Sequence, residues 1–229
     1  MISTRTALVT GGTGGLGPAT ISAFLAAGWR VVAPVRPGTA DRLPAGAAAV
    51  DADLTVEADV RAAARVAADD PEAPLRTVVN LVGGYAGAGL IADTPVADFE
   101  AMLTMNLRPT YLTTAAALPY LIEGGGGSVV CVSSRAAVSP FPGAAGYVTA
   151  KAAVLAFAAA VDVEYRKRNV RCNTVLPSVI DTPANRTAMP DADHDRWVSP
   201  AEIAEVVLFL ASDASAPTSG AQIPVYGQA

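Results

Sequence analysis

The chain has 229 residues, which is enough for one large domain or two small ones. Hydrophobic residues make up 52% of it and charged residues only 16%, so it can bury a sizeable core and does not resemble a disordered chain. The net charge of −5 argues against binding to nucleic acid and against docking to an anionic membrane, because both need a basic face.

Four further classes of protein are disfavoured by the sequence. The longest apolar run, at 152–161, covers about ten residues, half of a bilayer span, and is interpreted as a core helix. The first residues lack the pattern of a signal peptide, so we expect a cytoplasmic protein. Cys131, Cys172 and His194 are too few and too scattered for a structural zinc site, and we expect no metal. A serine hydrolase is disfavoured because no Gly-x-Ser-x-Gly turn occurs.

Short β-branched runs alternate with longer helical stretches along the chain. The predicted strands are 6–10, 30–35, 48–54, 77–82, 128–133, 170–176 and 222–225. The first predicted helix ends near residue 27. The others cover 56–68, 95–121 (bent or broken near Pro109), 144–167 and 201–210. Several strands are apolar throughout, as expected when helices cover both faces of a parallel sheet. We predict an α/β protein in which residues 1–229 form a single doubly wound Rossmann-type domain with a parallel seven-stranded sheet.

A glycine-rich turn follows the first predicted strand and opens onto an alanine-rich helix. Its candidate ligands are Gly11, Thr13, Gly14, Gly15, Leu16 and Gly17. Glycines let the backbone approach a pyrophosphate, and the helix N-terminus offers free N–H groups, so the turn predicts phosphate binding. The alternative is an ordinary glycine-rich turn.

The carboxyl ends of parallel strands share one edge of the sheet. One crevice at that edge is therefore expected to contain Gly11, Asp53, Asn80, Ser134 and Pro177.

The end of the second predicted strand bears on the choice of cofactor. Val35 and Arg36 stand there, where an acidic residue would bind the ribose 2′-hydroxyl of NAD. A guanidinium suits the 2′-phosphate of NADP, so NADP(H) is favoured over NAD(H). Arg36 as a solvated surface residue is the alternative.

Tyr147 and Lys151 stand four residues apart at the start of the long predicted helix, so their side chains share one face. An ammonium beside a phenol lowers the pKa of the phenol, and we expect Lys151 to act on Tyr147 in this way, making it a general acid. The alternative is a simple surface contact. Upstream, the strand at 128–133 ends beside Ser134, which could hydrogen-bond a carbonyl substrate or only cap a turn.

The motifs TGGTGGLG, NLVGG, SS and YVTAK, together with Asp53, Asn106 and Pro177, resemble the classical short-chain dehydrogenase/reductases in order and spacing across essentially the whole chain. The resemblance implies reversible hydride transfer between NAD(P)H and a small-molecule carbonyl or alcohol. It implies a catalytic set of Asn106, Ser134, Tyr147 and Lys151. Tyr147 would be the general acid/base, Lys151 would hold the nicotinamide ribose, and Ser134 would orient the carbonyl.

The same resemblance implies further roles. Asn106 would support a water-linked proton relay to Lys151, Asp53 would contact the adenine, and Asn80 would support the central strand and the cofactor. Ile180 and Thr182 would meet the nicotinamide carboxamide. The remaining implied cofactor contacts are Leu54, Val82, Gly83 and Pro177. Family members are commonly tetramers or dimers, so a homotetramer or homodimer is expected.

Two alternatives for function stay open. The segment from Gly83 to Gly87 and the region 181–193 are similar to the dihydropteridine reductase branch, which reduces a quinonoid pterin, although Ser134 and Val35-Arg36 depart from that branch. A non-catalytic sensor of NAD(P) is the other alternative, and the intact catalytic set disfavours it.

Substrate specificity is expected to reside in the loops. Tyr85, in a glycine-flanked loop, could stack on a flat substrate or merely pack that loop. Only about sixteen residues after Thr182 remain to cover the substrate, so the sequence predicts a short lid and an open pocket.

Overall fold

The computed structural model describes residues 5–87 and 89–228. Its strands are β1 (Thr6–Thr10), β2 (Arg30–Val35), β3 (Ala48–Asp51), β4 (Leu75–Asn80), β5 (Gly127–Val132), β6 (Val170–Pro177) and β7 (Gln222–Val225). All pair in parallel, in the order β3-β2-β1-β4-β5-β6-β7. The predicted fold class is therefore confirmed. A single domain over residues 1–229 stays a prediction, because its ends lie outside the described residues.

Helices cover both faces of the sheet. They are α1 (Gly17–Ala26), α2 (Glu57–Ala68), α3 (Val96–Asn106), α4 (Arg108–Glu123), α5 (Ala145–Tyr165), α6 (Pro183–Ala188) and α7 (Pro200–Ala211). On one face, Phe24 of α1 and Val207 of α7 share a core with the strands. On the other, α2, α4 and α5 contribute Ala64, Leu118 and Val154. The central strands are buried on both sides, which explains why their sequences do not alternate.

β5 and β6 differ from the predicted strands by one residue at a boundary, and β3 and β4 differ by more. β3 ends at Asp51 rather than at 54, because the Asp53 carboxylate accepts hydrogen bonds from the backbone and hydroxyl of Thr55 and closes a turn. β4 begins at Leu75, which pairs with Thr6, and ends at Asn80. The next backbone N–H, that of Leu81, donates to the hydroxyl of Thr10 rather than to a backbone carbonyl of a neighbouring strand.

The helical region predicted at 95–121 consists of two helices, α3 and α4, which are separated at Leu107. Pro109 lies in the first turn of α4, where its missing N–H has no helical partner to lose. The break near Pro109 is thus confirmed, and it leaves Asn106 as the last residue of α3.

The segment over the carboxyl edge of the sheet is short. Residues 183–199 form the six-residue α6, which the sequence analysis missed, and one 3-10 turn at His194–Arg196. Thr182 caps α6 by accepting the N–H of Asn185, and Ser199 begins α7 with a capping box. No long two-helix lid occurs in these described residues, in agreement with the short lid predicted.

One apolar helix is longer than the run at 152–161. By length and composition alone, Ala145–Arg168 could span a membrane, and 39% of its most apolar window is buried. A core helix passes the same test, and α5 packs on β6 and α3 in this fold.

Truncating Phe24 should destabilise the fold. Its ring is fully buried and meets Trp29 edge-to-face at 5.3 Å, so Phe24→Ala leaves a cavity between α1 and the sheet. We expect a loss of about 3–5 kcal/mol in the free energy of unfolding, measured by urea denaturation at fixed protein concentration. Phe209→Ala, on an exposed site of α7, is the control and should cost far less. Equal losses would contradict this account of the core.

Candidate active site

The turn between β1 and α1 is shaped by its glycines. Gly11 has φ +71, and a Cβ there would lie 3.1 Å from the Leu81 and Val82 backbone. A Cβ at Gly17 would lie 2.3 Å from the Gly11 carbonyl oxygen, so no larger residue fits without a shift. The turn therefore packs directly against the end of β4, at the carboxyl edge of the sheet.

The residues at this turn fit a dinucleotide pyrophosphate. Helix α1 has Leu16 at its N-cap, with no side-chain hydrogen bond to the cap and no acidic residue in the first turn. The N–H of Gly17 donates to the Gly14 carbonyl oxygen at 3.2 Å and Pro18 has no N–H, so this end of the helix attracts an anion chiefly through its dipole. Gly14 and Gly15 are exposed beside it, with Thr13 half-buried. Pyrophosphate oxygens can approach this backbone closely, because Gly14 and Gly15 have no side chains of their own.

The segment after β6 reaches the same turn. A Cβ at Gly15 would lie 2.7 Å from Cγ2 of Thr182, so Thr182 lies against the glycine-rich turn. Ile180 forms a bridge with Val198, and its carbonyl accepts the N–H of Thr182. Pro177 is the buried last residue of β6. The structure thus brings these three predicted residues to the carboxyl edge.

Two arginines stand near the outer end of the turn. Arg36 is exposed directly after β2, as predicted. Arg42, which the sequence analysis missed, donates from Nη2 to the carbonyl oxygen of Thr13 at 3.0 Å. Arg42 lies in a loop after β2 that carries no periodic pattern, so nothing in the sequence indicated that it folds back onto the turn.

Asp53 and Leu54 lie in the turn that follows β3. Asp53 is exposed, and the hydrogen bonds from Thr55 hold the pKa of its carboxyl below the usual range, with a smaller contribution from the charge of Arg36. Leu54 beside it is half-buried. Both residues remain on the side of the crevice where Arg36 lies.

Lys151 is buried, with 5% of its surface exposed. Its Nζ donates to the Val132 carbonyl oxygen at 3.1 Å, which accounts for one of its three protons. Burial lowers its pKa to about 8, and the nearby Cys131 acts in the opposite direction. A buried ammonium with donors to spare needs further acceptors, and the ribose hydroxyls of a nicotinamide nucleotide would supply them.

Tyr147 shares one face of α5 with Lys151, whose Nζ is 5.9 Å from the centre of the Tyr147 ring. The predicted effect of the lysine on the phenol is wrong in this structure. The pKa of Tyr147 is raised, chiefly by burial; interaction with Ser134 acts to lower it, and Tyr85 adds to the increase. Lys151 contributes nothing resolved to this shift, and its Nζ donates to the carbonyl oxygen of Val132.

Asn106 and Gly83 connect the two halves of the site. The Asn106 amide donates to the Gly84 carbonyl and accepts the Gly84 N–H, both at 3.0 Å. A Cβ at Gly83 would lie 2.6 Å from Asn106 Oδ1 and 2.8 Å from Lys151 Nζ. Only glycine fits at 83, and the half-buried Val82 precedes it. Asn106 thus holds the strand extension that faces Lys151.

Ser134 and Asn80 occupy the ends of neighbouring strands. The Ser134 hydroxyl accepts the N–H of Ala136 at 3.1 Å and caps a 3-10 turn, so the capping role and the interaction with Tyr147 coexist. Asn80 is buried and donates to the Thr114 hydroxyl, while its Oδ1 has no hydrogen-bond partner among the described residues. Both cysteines are buried and free, and the described residues contain no metal-binding group of His, Cys, Asp or Glu.

Comparisons with known proteins agree with this arrangement. The family model described as short chain dehydrogenase matches residues 5–193. The chain is 32% identical to the 2-(R)-hydroxypropyl-CoM dehydrogenase of Xanthobacter autotrophicus, over 97% of each chain. It is 31% identical to a 2,5-dichloro-2,5-cyclohexadiene-1,4-diol dehydrogenase of Sphingobium indicum, over 97% of this chain and 95% of that one.

Solved structures have the same fold. A short-chain type dehydrogenase/reductase from Mycobacterium ulcerans superposes with a TM-score of 0.88 at 27% identity, covering 98% of this chain and 89% of that one. A structure titled ElxO with NADP bound gives a TM-score of 0.90 over 98% of each chain, and at 23% identity this likeness shows the fold alone. The chain belongs to the short-chain dehydrogenase/reductase family. It is an oxidoreductase that uses a nicotinamide cofactor.

The lowered pKa of Lys151 should appear in the pH dependence of stability. Between pH 8 and pH 10.5 the unfolded chain keeps a proton that folded Lys151 has released, so the free energy of unfolding rises with pH in this window. The test measures the free energy of unfolding of the cofactor-free wild type and of Lys151→Met by urea denaturation. The difference between the two proteins should rise by about 2 kcal/mol in favour of the wild type from pH 7 to pH 10.

The exposed Lys167 provides the matched control, because Lys167→Met removes a lysine without changing the buried site. The difference in free energy of unfolding between wild type and Lys167→Met should show no comparable rise with pH. A difference between wild type and Lys151→Met that stays constant with pH would contradict the burial of an ionisable Lys151.

Proposed function

We propose that this enzyme interconverts a small-molecule carbonyl and the corresponding alcohol, with Tyr147 as the general acid/base and NADP(H) as the preferred cofactor. The observation that carries the proposal is the meeting of Tyr147, Lys151 and Asn106 at the carboxyl edge of the sheet, beside the glycine-rich turn. The names of the two related dehydrogenases given above refer to a hydroxypropyl compound and a diol, which supports an alcohol or carbonyl substrate.

The bound nicotinamide would supply or take up the hydride, and the chain's own residues handle the proton and the geometry. Tyr147 donates its phenolic proton to the carbonyl oxygen during reduction. At neutral pH the phenol is protonated, as donation requires. Its raised pKa makes it a weaker acid than an ordinary tyrosine, so the interaction with Ser134, which acts to lower that pKa, supports the donation. Ser134 hydrogen-bonds the same oxygen and orients it.

Lys151 and Asn106 act around this proton transfer. Lys151 uses its spare donors to hold the nicotinamide ribose, and Asn106 supports a water-linked proton relay to Lys151. Asn106 also fixes Gly84, and through it the position of Gly83 opposite the lysine. With all four residues in place, turnover is favoured over a purely sensing role. The likeness to the dihydropteridine reductase branch stays a prediction.

The remaining predicted contacts would hold the cofactor along the carboxyl edge. The turn from Gly11 to Gly17 would hold the pyrophosphate, and Asp53 and Leu54 would contact the adenine. The nicotinamide end would meet residues at or after the ends of β4 and β6, namely Asn80, Val82, Gly83, Pro177, Ile180 and Thr182.

A preference for NADP(H) is supported by Arg36 and Arg42. Both follow β2 on the side of the crevice where the adenosine ribose would lie, and Arg42 is tied to the glycine-rich turn. Val35, at the end of β2, offers no carboxylate for a ribose 2′-hydroxyl. A 2′-phosphate would find two guanidinium groups on this side of the crevice, together with the carboxylates of Asp51, which pairs with Val35, and Asp53, which lies near Arg36.

We further propose that the protein acts in the cytoplasm as a homotetramer or homodimer, without a nucleic-acid or membrane partner. An apolar groove of about 420 Å³ supports self-association. It lies on α3, α4 and α5 and is lined by Leu103, Thr104, Leu107, Arg108, Tyr111, Ala153 and Phe157. The net charge of −5 supports the absence of nucleic acid and of anionic membrane.

Replacing Tyr147 tests the catalytic assignment. Tyr147→Phe removes only the proton donor, so kcat should fall by about 100- to 10,000-fold while the Kd for NADPH changes little. Absorbance of the reduced nicotinamide with a panel of aldehydes and ketones gives kcat, and calorimetry gives Kd. Tyr111→Phe, a half-exposed tyrosine on α4, is the control. Near wild-type turnover by Tyr147→Phe would overturn the assignment.

Removing either arginine tests the cofactor preference. Arg36→Ala and Arg42→Ala should each raise KM for NADPH about tenfold and leave KM for NADH nearly unchanged, because only NADPH carries the 2′-phosphate. Arg61→Ala, which removes an exposed arginine paired with Glu57 on α2, controls for net charge. Equal effects on both cofactors would refute a phosphate contact.

A further inference from the structure

Tyr85 is a large aromatic residue that contacts Tyr147. Its ring lies 5.3 Å from that of Tyr147, at 74° between the planes, and 5.8 Å from that of Phe141, at 61°. These are edge-to-face contacts. Yet 54% of Tyr85 and 46% of Phe141 are exposed. Two aromatic residues from different loops thus meet beside the proposed proton donor and still present much of their surface outward.

The loop around Tyr85 is built to hold the ring in this position. A Cβ at Gly87 would lie 3.2 Å from the Tyr85 hydroxyl, so a larger residue at 87 would crowd it. Gly84 is fixed by Asn106, and a Cβ there would lie 2.9 Å from the Met105 sulfur. The placement of Tyr85 therefore follows from the same hydrogen bonds that order the crevice, rather than from packing in the core.

Charge is directed away from this aromatic pair. Arg135 follows Ser134 in the chain, and its guanidinium lies over the ring of Tyr226, 5.1 Å from its centre. Val138, between Arg135 and Phe141 in the chain, is 54% exposed and apolar. The loop from 136 to 141 contains no charged residue, and Arg135 at its start contacts Tyr226, so this loop suits an uncharged group.

We propose that Tyr85 and Phe141 form an aromatic wall that binds an uncharged aromatic ring joined to the reacting carbon of the substrate. This inference rests on the proposed function, since the reacting oxygen must then lie within hydrogen-bonding distance of Tyr147. A substituent on the reacting carbon has to extend past Tyr147, and Tyr85 adjoins it. Aromatic rings gain edge-to-face or offset stacking there that a saturated ring of similar size does not. Tyr85 and Phe141 are accordingly specificity-determining residues.

The test compares benzaldehyde with cyclohexanecarbaldehyde, which differ in whether the ring is aromatic. Wild-type protein, Tyr85→Leu and Tyr85→Phe are assayed for kcat and KM with NADPH. In Tyr85→Leu the ratio of kcat/KM for benzaldehyde to that for cyclohexanecarbaldehyde should fall about three- to tenfold, mainly through KM. Tyr85→Phe, which keeps the ring, should retain the wild-type ratio within about twofold.

Phe209→Leu is the matched control. Phe209 is an aromatic residue that is 48% exposed, and it lies on α7. Its replacement should leave the ratio unchanged. An equal loss for both aldehydes in Tyr85→Leu would overturn the proposal, because it would mean that Tyr85 only supports Tyr147.

Binding of unreactive analogues separates this proposal from the proposed function. Calorimetry with benzamide and cyclohexanecarboxamide, on the NADPH-loaded protein, should give tighter binding of benzamide, and Tyr85→Leu should abolish the difference. If neither aldehyde is reduced but this pattern appears, the aromatic wall stands and the carbonyl chemistry fails. If the aldehydes are reduced and neither Kd nor kcat/KM responds to Tyr85→Leu, the wall is refuted.

Discussion

Parallel pairing of β1 with β4, and of β4 with β5, determines where the functional residues lie. In a parallel sheet every strand ends at the same edge, so loops far apart in sequence meet there. Thr10 of β1 pairs with Asn80 of β4, and Asn80 in turn pairs with Cys131 of β5, so the three residues form one row across the sheet. The glycine-rich turn, the Gly83 segment and Ser134 follow these residues directly. A shift in register would separate the turn from the Gly83 segment, although each motif would remain intact.

The burial of Lys151 shows how the fold trades stability for function. Its ammonium is supported in the described chain by one carbonyl, that of Val132, which is less than a buried cation requires. The lowered pKa expresses this shortage, since desolvation favours the neutral amine. A ligand that accepts hydrogen bonds would relieve it. In the proposed function, the buried ammonium of Lys151 would therefore be stabilised by the hydrogen bonds that the nicotinamide ribose accepts.

Much of the fold could be predicted because the signals are local. The apolar runs of β4 and β5 and the spacing of Tyr147 and Lys151 are properties of adjacent residues, and they located the sheet and the pair on α5. What failed left no periodic pattern in the sequence. Asp53 ends β3 early through a local turn with Thr55, two residues further on, and Arg42 reaches back to Thr13, which stands twenty-nine positions earlier. The six-residue α6 is too short to show a helical period.

The direction of the Tyr147 pKa is the most instructive failure. Sequence spacing correctly placed an ammonium on the same face of the helix, but it carries no information on where that ammonium points or how much water surrounds the phenol. Tyr85, which stands sixty-two positions earlier in the chain, packs its ring edge-on against Tyr147 and adds to the increase in the pKa. In the proposed function the same ring would adjoin the substrate. No pattern of neighbouring residues indicates this contact, which only the folded chain creates.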